Sequence, residues 1–122
     1  MALALQLPRI PTLLSEITEV EPLVDGVTIA TDVALGNQFT VTIAGNRTLS
    51  APTNPVDGQK VIWAVKQDGV GSRTLTLDPI FVFGTDVTAF TQSTAPNLTD
   101  YLGAIYNSTT SQWTVVAIAR GF

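Results

Sequence analysis

The sequence predicts an all-β domain, an antiparallel β-sandwich wired as a jelly roll or Greek key, preceded by an extended N-terminal arm. Three observations carry that expectation. Apolar side chains alternate with threonines along Phe39-Thr40-Val41-Thr42-Ile43 and again along Trp113-Thr114-Val115, the period of two that puts one face of a strand in a core. Turn-forming residues punctuate such runs at short intervals, as in sandwiches. Composition also changes near residue 25: every glutamate (Glu16, Glu19, Glu21) lies before it, with Pro8, Pro11 and Pro22, and the remainder is rich in Thr, Val and Gly. The chain therefore divides into an arm, residues 1–24, and a β-sandwich domain, residues 25–122.

The arm begins with an apolar run, Met1 to Leu7, broken by Pro8, Arg9 and Pro11. It has neither the basic start nor the apolar length of a secretory signal, and the chain has no membrane-spanning stretch. Leu13, Leu14, Ile17, Val20 and Leu23 could form one helical stripe with Ser15, Thr18 and the glutamates opposite; Pro11 suits its start and Pro22 its end. A helix of about ten residues is marginal alone in water, so this segment needs a surface to lie on. Its own core or a neighbouring subunit could supply it; the extended, Pro-punctuated start favours the neighbour, with Leu3, Leu5, Leu7, Leu13, Leu14 and Ile17 as the arm's binding residues.

In the body, the strand Phe39 to Ile43 is followed by Gly45-Asn46, the strand Val61 to Lys66 by Gln67-Asp68-Gly69-Val70-Gly71, and Tyr101 to Tyr106 is joined to Gln112 to Arg120 through Asn107 to Ser111. Each of these connections reads as a hairpin loop. The segment Ser50 to Asp57 holds Pro52 and Pro55, lacks two backbone donors, and reads as a crossover at a sheet edge. Val116 to Ala119 is apolar on both faces, which calls for cover on both sides, in a sandwich interior or at a subunit interface. No internal repeat of solenoid length is apparent.

Composition excludes more chemistry than it admits. The 122 residues contain no Cys and no His, so thiolate nucleophiles, disulfides, imidazole catalysis and Cys/His zinc sites are out. Six Lys and Arg against ten Asp and Glu give a formal charge of −4, which offers no field for nucleic acid or anionic lipid. Charged residues make up 13%, about half the usual share; a surface so poor in charge fits the core of an interface and equally an ordinary Thr-rich β surface.

Paired carboxylates could serve glycoside hydrolysis, but Asp25, Asp32, Asp57, Asp68, Asp78, Asp86 and Asp100 all stand in turn-like contexts; Asp57-Gly58, Asp68-Gly69 and Asp78-Pro79 are ordinary turn dipeptides. The oxygens of a calcium loop are not clustered, although Asp68 with Gln67 could hold a cation weakly. Gly69-Val70-Gly71-Ser72-Arg73 has glycines of a phosphate cradle but no helix to follow, and reads better as a turn whose Arg73 reaches a carboxylate. Serine nucleophiles lack a base, with Lys60 and Lys66 on a half-exposed strand; Trp63 and Trp113 fall in strand rhythm and read as core. Asn46, Asn97 and Asn107 begin Asn-X-Ser/Thr triplets, which carry no glycosylation meaning without a secretory signal. No enzyme, metal or cofactor is expected.

One ordered set of motifs goes further. Asp57-Gly58-Gln59-Lys60-Val61-Ile62-Trp63, Lys66-Gln67-Asp68, Gly71-Ser72-Arg73-Thr74-Leu75, Phe81-Val82-Phe83, Asp100-Tyr101-Leu102, Tyr106, Trp113 and Gly121-Phe122 together resemble a β domain recurrent in tailed-phage virion proteins, over most of residues 27–122. The resemblance implies a small trimer-forming domain of head decoration proteins, head fibres or tail-fibre tips, without catalytic residues. A short arm beginning at Met1, with no long stalk, is closest in layout to a capsid decoration (cement) protein. The resemblance thus implies a homotrimer, made in the host cytoplasm, whose partner is the major capsid protein. The alternative it leaves is a receptor-binding or fibre-tip module touching host glycan through loops Gly84 to Pro96 or Asn107 to Ser111.

Overall fold

The computed structural model describes residues 20–122, so Leu3, Leu5, Leu7, Leu13, Leu14 and Ile17 lie outside the described residues. Nine strands follow in order: β1 (Glu21–Pro22), β2 (Thr28–Ile29), β3 (Gln38–Ile43), β4 (Arg47–Leu49), β5 (Lys60–Gln67), β6 (Leu75–Leu77), β7 (Phe81–Val82), β8 (Thr99–Asn107) and β9 (Gln112–Ala119). A 3-10 turn, Val33–Leu35, is capped by the Asp32 carboxylate, which accepts the Ala34 N–H. The expected β fold is present, but its wiring differs.

From β1 to β6 the chain alternates between two sheets. Strands β1, β3 and β5 lie side by side in a six-stranded sheet of order β1-β3-β5-β8-β9-β7, and β2, β4 and β6 make a three-stranded sheet. Neighbours within each of these triplets are parallel. Antiparallel pairing is confined to β5 with β8 and β8 with β9, and β7 lies parallel to β9. The purely antiparallel expectation is thereby corrected to mixed sheets. Parallel neighbours need a crossover, and here each strand of one sheet is carried by the connection between two strands of the other.

The cause is visible at two connections. Gly45-Asn46 and Asp68 to Thr74 do not reverse the chain along the same sheet; they turn it from the large sheet into the small one. Hairpins and such corners draw on the same Gly, Asn and Asp residues, so local chemistry does not separate them. Only Asn107 to Ser111, of the three expected hairpins, is one. The crossover Ser50 to Asp57 does carry the chain from β4 to β5, with Thr53 bridged to Asp32 on the way.

The winding also brings equivalent residues into register. Thr28, Thr48 and Thr76 are neighbours across the small sheet, as are Ile29, Leu49 and Leu77. Glu21, Phe39 and Trp63 align across the large one. Each turn is longer than the one before it, so no fixed period announces the pattern in the sequence.

Both sheets contribute to one buried cluster. Ile29 and Leu49 come from the small sheet, and Phe39, Ile43, Trp63, Val65, Leu102 and Trp113 from the large. Trp63 is its centre, edge-on to Phe81 at 5.4 Å and to Trp113 at 5.6 Å. Its indole N–H donates to the buried Thr31 hydroxyl at 3.0 Å, so the one polar atom of the ring is satisfied.

The composition boundary at residue 25 is not the structural one. Glu21–Pro22 pairs with Phe39–Thr40, the Leu23 N–H donates to the Thr40 carbonyl at 2.8 Å, and Leu23 packs against the core cluster. The last residues assigned to the arm are extended and belong to the body, not to a helix, because a strand paired to β3 satisfies backbone groups that a short helix capped by Pro22 would leave to water.

Candidate interaction surface

One open feature is the outer face of the six-stranded sheet. Alternation turns Phe39, Val41, Ile43, Val61, Trp63, Leu102 and Trp113 into the core and leaves Gln38, Ile62, Gly103 and Ala117 aligned in one row on the opposite side. A bulge adds to that row. Gly103 pairs with Ala117 and Ala104 with Val115, so Val116 is the extra residue on β9, and both Val116 and Ala117 face outward.

The absence of a side chain at Gly103 leaves a shallow, open depression of about 380 Å³ over this row, lined by Gln38, Lys60, Ile62, Ile105, Val116 and Ala117 among others. Ile62 is 44% exposed and Val116 49%. Among the described residues, therefore, the doubly apolar end of β9 is covered on one face and open on the other. That removes the sandwich interior as the reason for its composition.

Charge on this face is sparse and of one sign. Lys60 and Lys66 project from β5, and the outward positions of β3, β8 and β9 carry Thr, Gln, Tyr, Gly, Ile, Val and Ala. Among the described residues neither lysine has a carboxylate partner; the ion pairs are Arg47 with Asp25 and Arg73 with Asp68. The arrangement can hold an apolar segment and favours one that brings negative charge.

A second hollow, about 360 Å³, lies where the winding begins, lined by Glu21, Leu23, Val24, Asp32, Leu35, Phe39 and Thr53 among others. Two acidic residues set its sign opposite to that of the outer face.

Of the carboxylates considered for catalysis all but the exposed Asp86 are drawn into the fold. Asp25 accepts from the Arg47 guanidinium at 2.8 Å and 3.0 Å and from the Ala44 N–H. The Arg47 bond holds its pKa below the usual carboxylate value. Asp68 accepts from Val70 and Gly71 N–H and from Arg73, and the Arg73 bond lowers its pKa likewise; Arg73 thus reaches a carboxylate, as its position suggested. Asp57 reaches across to the Ser108 N–H in the β8–β9 loop, which lowers its pKa, and Asp78 accepts from the Ile80 N–H two residues on. Asp100, fully buried, accepts the N–H groups of Ser93 and Gly121 and so anchors both the loop before β8 and the chain end. No three acidic residues group as metal ligands among the described residues.

Sequence reasoning missed two glutamines. Gln67, which reads as the start of a loop, is the buried last residue of β5: its amide donates to the Arg73 and Ser93 carbonyls, both at 2.7 Å, and its carbonyl accepts the Arg73 N–H at 3.0 Å. Gln59 donates to the Val33 carbonyl at 2.8 Å and to Asn37. Gly71 is required in turn: its φ is +77°, and an added Cβ would lie 2.7 Å from the Thr94 carbonyl oxygen. Together Gln67, Gly71 and Asp100 tie residues 92–96 to the body.

Compared by sequence, the chain matches no protein-family model, and no curated protein matches it significantly.

Proposed function

We propose that this chain is a structural virion protein of a tailed bacteriophage, a decoration protein that binds the outer capsid surface and stabilises the head through contacts between copies. Three sandwich-like bodies associate through low-charge β surfaces, and the leader before β1 reaches the major capsid protein or an adjacent copy through Leu3, Leu5, Leu7, Leu13, Leu14 and Ile17. The role requires no catalytic group and no cofactor. Many weak contacts tied to one another resist pressure from within because none opens alone.

The observation that carries the reading is the open apolar row on the large sheet, Ile62, Gly103, Val116 and Ala117, on a chain with very little charge to keep it apart from its like. The ordered motifs from Asp57 to Phe122 supply the virion context. Antibody labelling of intact particles tests it. Signal over the whole head is expected; signal restricted to the tail would overturn decoration and leave the receptor-binding alternative.

A further inference from the structure

We infer that the apolar row on the outer face of the large sheet is the seat of residues 13–19 from the leader of an adjacent copy. The inference rests on the multi-copy assembly proposed above and names the surface that receives the leader.

The fit is chemical first. The seat offers Ile62, Ile105, Val116 and Ala117 around a hollow with no side chain at Gly103, and Lys60 at its rim; Lys66 stands further along the same face of β5, and neither lysine has a carboxylate partner among the described residues. Residues 13–19 offer Leu13, Leu14 and Ile17 with Glu16 and Glu19 beside them, the negative charge that the face lacks. The other hollow, rimmed by Glu21 and Asp32, would repel the same glutamates.

From β3 to β9 the row crosses three strand intervals, about 14 Å, a length between the about 10 Å that seven residues span as a helix and the about 24 Å they span extended. Direction then selects the adjacent copy. Register places Val20 beside Gln38, so the chain enters β1 from the Lys60 end of the sheet. To return over its own sheet it would have to reverse, yet no Gly, Pro, Asn or Asp occurs from Thr12 to Glu21. A leader that continues outward meets a neighbour.

The absence of cysteine makes the test clean. Full-length Ile17→Cys and Val116→Cys proteins are prepared singly and as the double variant, with circular dichroism confirming the fold. An equimolar mixture of the single variants is oxidised mildly and run on a non-reducing gel. A mixed two-chain disulfide as the main product is expected, falling several-fold when Lys60→Glu and Lys66→Glu are added to the Val116→Cys chain. A disulfide closed within one double-variant chain, with none in the mixture, would overturn the inference in favour of the chain's own leader. No disulfide in either, from protein that light scattering shows to be assembled, would overturn it in favour of another occupant. Coating of empty heads by the unmodified protein is scored separately: coating without the mixed disulfide retires the seat and leaves the decoration role, whereas the mixed disulfide without coating does the reverse.

Discussion

Trp63 and Trp113 are equally buried and touch each other, yet their indole N–H groups differ. Trp63 donates to Thr31, whereas the Trp113 nitrogen has no partner among the described residues. Replacing Trp63 by Phe leaves a buried hydroxyl without its donor; replacing Trp113 by Phe removes an unsatisfied polar atom along with some volume. Trp63→Phe is therefore expected to cost about 1 kcal/mol more than Trp113→Phe, measured by urea unfolding followed in the far ultraviolet. Gln67→Ala should cost about 2–4 kcal/mol in the same assay, because it strands the two carbonyls and the N–H that hold Arg73 and Ser93. The tryptophans were legible as core from strand rhythm alone. Gln67 was not, since a polar residue before Asp68-Gly69 looks like any loop residue, and its partners lie up to 26 positions away.

At the scale of elements, the strands were legible and their partners were not. Alternation marks β3 and β9 because it reports a buried face within five or six residues, but parallel or antiparallel pairing depends on whether the next glycine turns the chain back or across to another sheet. The same blindness hid β1. Its two residues make a strand through pairing with Phe39 and Thr40, and nothing in Glu21-Pro22 itself asks for one. Truncation separates the two boundaries. Compared with a chain lacking residues 1–19, one lacking 1–24 also loses β1 and Leu23, which bares one edge of β3 beside Phe39, and should melt several degrees lower, read by circular dichroism.

For the whole molecule, composition singled out the end of β9, apolar on both faces, and among the described residues one of those faces lies open. Which face would be open was not readable, because that follows from the bulge at Val116 and from the position of β9 between β8 and β7. Acidity acts at this scale too. Asp25, Asp57 and Asp68 have pKa values below the ordinary 3.8 in the folded chain, so the stability they contribute is complete above that value and is lost as pH falls below it. Thermal unfolding should therefore be nearly constant from pH 7 to about 5 and decline between about pH 4 and 2. Asp25→Asn, which keeps shape but forfeits the charge paired with Arg47, should flatten part of that decline. The margins of the large sheet bear on crowding. β1 and β7 are two residues long, β1 includes a proline without an N–H, and beyond it Asp25 occupies the Ala44 N–H. Short, proline-bearing margins of this kind offer a second chain only a brief ladder to zip onto, a device against ribbon-like growth when copies of the chain are concentrated.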